Sequence, residues 1–428
     1  MGVFAVALAV NLGAGAVQGL NRKLESDAFY YFQLATSLAR GEGYVIKQGF
    51  WPEAPSLQRM PGWPAAAAVA LKLTEGHGLP RPAVMRTLNL TINAACAAAV
   101  SLLALALFRR PVVGVVAGGL YLLHPMGLVC ADEGMSEPLF VLLAVTGAWL
   151  LQRGLAGVTA DTRFNMRRIA AVLAGFLLLG LACLVRANFA MWIFFFGAGV
   201  AWWTLRAGLW RRPAWWAVMF VGTLIFVTPP LLWAVRNYRV CGAFPVMSTL
   251  RGQTYYGGNN ALTAEGFKYW GYWVFPNEIP GETPLYDLSR TMSEHEVDVY
   301  YYEKGQAYLR EHPGRVPGLL LGKLIRAYVP VPWHWTAGTL GMAGARMVLY
   351  GLFFVGVCRA WCLLVRPYPA IFSGMVFTNV MMVLTFYGYS RFAFALEPFF
   401  MPFAAVALVD LVGWQWSSQA KPLQEVIL

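Results

Sequence analysis

The sequence predicts an all-α, polytopic membrane protein, and three observations predict it. Hydrophobic residues fill 58% of the 428 positions and charged residues only 13%, where an ordinary soluble domain carries roughly 25% charged residues. The mean hydropathy is +0.53. Apolar runs of about 20 residues, long enough to cross a bilayer, recur along most of the chain. That many runs cannot be buried together in one soluble core.

The runs place spans near 1–20, 87–108, 112–130, 137–151, 169–185, 189–205, 214–235, 341–365, 370–388 and 393–413. This makes about ten transmembrane helices, within a range of roughly nine to twelve. Residues 1–20 have the length of a signal peptide but no basic leading region or convincing cleavage site, so they read as a retained first span. The missing basic flank leaves open whether the native start lies upstream. Pro125 is expected to kink the third span. The loops of one side hold Arg109, Arg110, Arg153, Arg163, Arg167, Arg168, Arg206, Arg211, Arg212, Arg366 and Lys421, whereas the short turns of the other hold only Arg186 and Arg391. Basic loops stay cytoplasmic, so the N-terminus is expected inside and the long polar segments, 21–86 and 236–340, outside. The chain then divides into an N-terminal membrane module (1–235), an extracytoplasmic lid of mixed structure (236–340) and C-terminal spans (341–428).

In the first outer segment, Ala28, Tyr31, Phe32, Ala35, Leu38 and Ala39 share one helical face after Asp27, with Gln33, Thr36, Ser37 and Arg40 opposite. Gly41 and Gly43 stop the pattern, which reads as an amphipathic helix lying on the membrane surface. The prolines of "PSLQRMPGWP" then impose an extended course. The second outer segment is rich in Tyr, Trp, Gly and Asn, as in "RGQTYYGGNNALTAEG". Ser293 and Glu296 form a capping-box pattern opening a helix through about Leu309, closed by His312-Pro313-Gly314. The apolar stretch 318–331, with Lys323 and Arg326, precedes Trp333 and Trp335 and reads as interfacial.

Composition also narrows function. The net charge of +12 is explained by the basic loops, and no nucleic-acid motif accompanies it, so no nucleic-acid partner is expected. The six cysteines (Cys96, Cys130, Cys183, Cys241, Cys358 and Cys362) lie mostly in apolar segments without metal spacing. The five histidines form no H-x-x-x-H pair.

Charges near a membrane are costly and tend to be functional. The outer-facing set is Asp27, Arg59, Asp132, Glu133, Glu137, Arg186, Arg236, Arg391 and Glu397. Collected at one depth, they suit a site where an anionic lipid headgroup meets a polar substrate: arginine binds phosphate through a planar fork, and a carboxylate accepts a proton from a hydroxyl. Plainer roles compete. Asp27 fits a helix cap and Glu137 the favourable N-terminal end of a helix dipole. Asp132 and Glu133 fit a solvated turn, Arg236 and Arg391 interfacial anchors, and Glu397 a structural pair with Arg391. The Trp and Tyr residues of 255–273 suit either sugar stacking or packing.

The order of these features resembles the GT-C superfamily of glycosyltransferases, and within it bacterial relatives of protein O-mannosyltransferases and lipid A aminoarabinose transferases. The residues that carry the likeness are "SDAFYYFQLATSLARGEGY", "QRMPGWP", "SEPLFVLL", "RANFAMW", "VRNYRVCGAF" with "GNNA", and "SRFAFALEP". The resemblance implies an enzyme of the bacterial cytoplasmic membrane that uses a polyprenyl-phosphate-linked sugar on the extracytoplasmic face. By motif, Asp27 takes the place of the first-loop catalytic acid and Glu137 that of the second. Arg59 takes that of the lipid-phosphate residue, with Arg236 and Arg391 as further phosphate ligands. Tyr30, Tyr31, Asp132, Glu133, Tyr255 and Asn259 are candidate substrate contacts. Ser26-Asp27-Ala28 replaces the Asp-Glu pair of many mannosyltransferases. No clear Asp-x-Asp stands for the divalent metal that some members use, so no cofactor is assigned. The implied partners are the donor lipid, membrane lipids, and a glycan, lipid or protein acceptor. Two other classes share this topology: a transporter or lipid flippase, and a surface-polysaccharide polymerase or ligase.

Overall fold

The computed structural model describes residues 1–413 except 53, 160, 163, 245–246, 267, 331–335, 362–363 and 365–366. Arg163, Arg366, Lys421, Cys362, Trp333 and Trp335, named above, lie outside the described residues. The apolar runs form helices because a chain in lipid has to satisfy its backbone polar groups internally. The first is α1 (Gly2–Gln18). The first polar segment folds into α2 (Ser26–Ala39) and α3 (Gly62–Leu73). Then come α4 (Arg81–Phe108), α5 (Pro111–Leu122) and α6 (Pro125–Asp132), followed by α7 (Glu137–Leu155), α8 (Met166–Cys183), α9 (Trp192–Arg206) and α10 (Pro213–Cys241).

Among the described residues, seven helices are long and apolar enough to cross a membrane, or nine if each of two bent pairs counts as one span; α1 is a shorter apolar helix. The protein is therefore a multi-pass α-helical membrane protein. The break between α5 and α6 bends the chain by 54° just ahead of Pro125, which lacks the N–H to continue a helix. Helix α4 is central, packing on α1, α5 and α7, while α7 continues to α8 and α8 to α10. At the α7–α8 crossing a Cβ on Gly147 would lie 3.1 Å from the Gly175 carbonyl oxygen. Two facing glycines thus bring the helices close enough for backbone contact, a recurrent solution in membranes.

The second polar segment is helical too: α11 (Arg251–Gly258), α12 (Ala261–Glu265), α13 (Leu285–Ser289), α14 (Glu294–Glu311) and α15 (Val316–Tyr328). The capping box forms: the Glu296 N–H donates to Ser293 Oγ at 3.3 Å and the Ser293 N–H to Glu296 Oε2 at 2.7 Å. Helix α11 packs along α14. The chain ends with α16 (Ala337–Ala360), α17 (Tyr368–Thr385), α18 (Ser390–Phe394) and α19 (Met401–Leu411), the last span being bent by 62° after Phe399. No strand occurs among the described residues beyond an isolated bridge between Val45 and Pro55.

One surface assignment changes. Helix α2 is buried on more than one face, through Ala28, Tyr31, Leu34, Ala35 and Ser37, because α3 packs on it and Tyr44 and Ile46 cover Leu34. Ser37, expected outward, is inside. Helix α15 buries one face, with Leu319, Lys323 and Ala327 fully buried or nearly so, while Leu321 on it stays 54% exposed. Lys323 Nζ donates to Asn259 Oδ1 at 2.7 Å and to the Leu384 carbonyl at 3.0 Å, with no carboxylate among the described residues in ion-pair range. Burial pulls its ammonium down from 10.5 to about 7. The unfolded chain then binds more protons between those values, so stability rises as pH increases from about 7 towards 10.5. The full gain is on the order of 5 kcal/mol. Thermal unfolding across this range is expected to show the rise, and Lys323→Met to flatten it.

Candidate active site

Both polar segments converge at one end of the bundle around a cavity of about 750 Å³. Its wall includes Lys23–Asp27, Tyr30, Trp51 and Arg59 from the first segment, Gln253, Tyr272, Trp273 and Glu294 from the second, and Tyr387, Tyr389 and Arg391 from the turn into α18.

The segment leading to Asp27 is tied down by Arg86 of α4, itself 1% exposed. Its guanidinium donates to the carbonyls of Leu20 at 2.8 Å, Lys23 at 3.0 Å and Asp132 at 2.9 Å. Ser26 takes a left-handed φ of 51°, a conformation that costs a non-glycine residue energy and often marks functional turns. Ser26→Val is expected to lower stability by about 1–2 kcal/mol and Ser26→Gly to be near neutral, as read by thermal unfolding.

Asp27 is the second residue of α2, and no side-chain hydrogen bond caps that helix. The capping explanation therefore fails. The carboxylate points instead at two guanidinium groups, Oδ1 to Arg59 at 2.8 Å and Oδ2 to Arg391 at 3.1 Å. Burial pushes the Asp27 carboxyl up, but Arg59 and Arg391 outweigh it and bring it from 3.8 down to about 2. Glu137, 0% exposed, pairs through Oε1 with both Arg391 and Arg186, the latter at 2.6 Å. The result is one chain of alternating charge: Arg59, Asp27, Arg391, Glu137, Arg186. Low-dielectric surroundings make such contacts strong and an unpaired member costly.

Other candidates are placed differently. Arg236 stands outside the chain: it donates to the Ser56 carbonyl at 2.9 Å and lies 4.8 Å from the Trp233 ring centroid. Tyr30 lines the cavity, while Tyr31 is buried, with its hydroxyl 3.3 Å from Ser136 Oγ. Asp132 pairs with Arg22, and Glu133 is exposed; neither lines the cavity. Tyr255 packs on Tyr302, with centroids 4.7 Å apart. Asn259 is buried, its amide donating to the Tyr255 and Thr385 carbonyls at 2.7 and 3.1 Å. Glu397 pairs with Arg346 at 2.7 Å and His124 at 3.0 Å rather than with Arg391. Arg186 carried no assigned role in the sequence, although "RANFAMW" contains it. Glu294 was missed: it accepts from the Leu57 N–H at 2.6 Å and pins the first segment to the second.

The site does not fit a divalent cation. Among the described residues no three His, Cys, Asp or Glu side chains converge, and Asp27 and Glu137 each lie between two guanidinium groups, which repel a metal ion.

No protein-family model matches the sequence, and no curated protein matches it either. Solved structures do match. The oligosaccharyltransferase AglB of Archaeoglobus fulgidus, in complex with an inhibitory peptide and a dolichol-phosphate, aligns with a TM-score of 0.57 at 14% identity, over 96% of this chain and 50% of that one. The same enzyme tethered to an acceptor peptide containing the NVT sequon gives 0.57 and 13%, over 96% and 49%. ArnT of Cupriavidus metallidurans bound to undecaprenyl phosphate gives 0.43 and 18%, over 96% and 77%. The chain is a polytopic membrane protein whose fold is similar to that of the oligosaccharyltransferase AglB. The chain spans about half the length of the oligosaccharyltransferase it matches.

Proposed function

We propose that the protein is a membrane glycosyltransferase that moves a sugar from a polyprenyl-phosphate donor to an acceptor hydroxyl. The observation that carries this reading is Asp27, held between Arg59 and Arg391 in the wall of a cavity large enough for a sugar and its phosphate. A dolichol-phosphate is what the AglB structure holds, and two adjacent guanidinium groups match phosphate geometry. The acceptor is a hydroxyl of a glycan, lipid or protein. The distribution of basic loops supports an extracytoplasmic site in the bacterial cytoplasmic membrane.

The mechanism follows from the leaving group. The anomeric carbon–oxygen bond to phosphate breaks as the acceptor oxygen attacks from the opposite side, and a single displacement inverts the anomeric centre. Arg59 and Arg391 neutralise the departing phosphate, so no strong general acid is needed. Asp27 takes the acceptor's proton. Glu137 holds Arg391 in place, with Arg186 behind it. Trp273 lines the cavity and offers a ring face to the sugar. Tyr272, Tyr387 and Tyr389 supply ring faces.

Purified protein incubated with radiolabelled polyprenyl-phosphate sugars and an envelope extract is expected to yield a new labelled glycoside. Translocation of the label across a vesicle membrane, with no new glycosidic bond, is the transporter outcome and rejects the reading.

A further inference from the structure

Arg59 and Arg391 each have support besides Asp27. Arg391 is also bound through Nε by Glu137, which Arg186 holds from its other side. The Arg59 guanidinium lies 5.4 and 5.6 Å from the ring centroids of Tyr30 and Tyr31, a stabilising placement over aromatic faces. Asp27 has no such second anchor: one oxygen is engaged by Arg59 and the other by Arg391. A carboxylate held at both ends in this way is a poor acceptor for an incoming hydroxyl. The cluster's three arginines and two carboxylates also leave one unit of positive charge uncompensated. A phosphodiester supplies one negative charge and two oxygens able to bridge two guanidinium groups.

We propose that Asp27 is masked in the empty protein and that the donor's phosphate unmasks it by taking over Arg59 and Arg391. The inference rests on the glycosyltransferase reading above. Because both arginines are held from behind, they stay in place while they exchange one anion for another, and only Asp27 changes partner. Its low value in the empty site, about 2, belongs to the paired carboxylate; freed of two adjacent cations, it regains the basicity that proton abstraction needs. A donor-first order of addition follows, since the acceptor hydroxyl finds no free carboxylate beforehand. It also limits wasteful chemistry: without a donor there is no active base.

The test uses the full-length protein in nanodiscs, with aspartate ¹³C-labelled at the side-chain carboxyl and undecaprenyl phosphate as the probe. Binding is read by ³¹P NMR and carboxylate state by infrared difference spectroscopy. The expected result is a shifted carboxylate stretch on lipid addition that vanishes in Asp27→Asn. Arg59→Gln is expected to shift that band before any lipid is added and to at least halve the lipid-induced change. Lipid binding with no Asp27 band shift overturns the proposal and leaves the glycosyltransferase reading standing. An unchanged lipid-induced shift in Arg59→Gln also overturns it. Absence of lipid-phosphate binding rejects the underlying reading itself.

Discussion

If the proposed reaction is right, Asp27→Asn is expected to lower transfer by about 10²–10⁴-fold, the span over which a positioned general base contributes, while the protein stays folded. The substitution keeps size and one acceptor oxygen, so Arg59 and Arg391 retain a neutral partner at the cavity wall. What is lost is the group proposed to take the proton. Donor binding should not weaken; it should tighten several-fold, because the carboxylate that competes with phosphate for both guanidinium groups is gone. The measurement pairs transfer rates on a labelled polyprenyl-phosphate sugar with undecaprenyl phosphate affinity and thermal unfolding in the same detergent. Near-normal turnover by a folded Asp27→Asn protein would remove Asp27 from the mechanism. Weakened lipid binding would mean that the carboxylate organises the arginines rather than competing for them.

The second large effect falls on Glu137, and it is one of stability. The residue is 0% exposed and pairs with two arginines. Glu137→Ala leaves Arg186 and Arg391 facing each other with no anion between them. Removing one partner of a buried charge pair typically costs about 3–5 kcal/mol, and thermal unfolding should register the loss. Adding Arg186→Met to that background should recover part of the stability, since Arg391 keeps Asp27 as a partner and the charge that lost its carboxylate, Arg186, is then removed. Transfer should remain low in the double variant, because Arg391 has lost its anchor. By contrast Glu133, four residues away and exposed, should change stability by no more than about 0.5 kcal/mol when replaced by Ala. Equal costs at the two positions would show that Glu137 is not the buried hub of the cluster.

Much of the fold was legible. Runs of about 20 apolar residues have one stable form in a bilayer, so span positions followed from composition alone, including the break near Pro125. The Ser293–Glu296 capping box was readable because its two hydrogen bonds join residues three apart. A pattern within one segment does not state which other segment will cover it. Helix α2 looks amphipathic by periodicity, but α3 packs on it and Tyr44 and Ile46 close over Leu34; the partners of Lys323, Asn259 and Leu384, lie 64 and 61 positions away. Arg236 and Arg391 looked alike in sequence, each an arginine near a span end. Only one lies beside Asp27.

By itself, the sequence determined the membrane class, the helical spans, and a short roster of charges too expensive to leave near lipid without purpose. These depend on hydropathy and local hydrogen bonding, which act over one turn or one span. Partnership was decided by the tertiary structure. Asp27 and Arg391 are 364 positions apart, and Glu137 and Arg391 are 254 apart. No local rule states that these side chains meet, that Arg186 completes the chain, or that Glu397 turns to Arg346 instead. Packing of the spans sets those distances, and in a low-dielectric site the distances decide which charges act together.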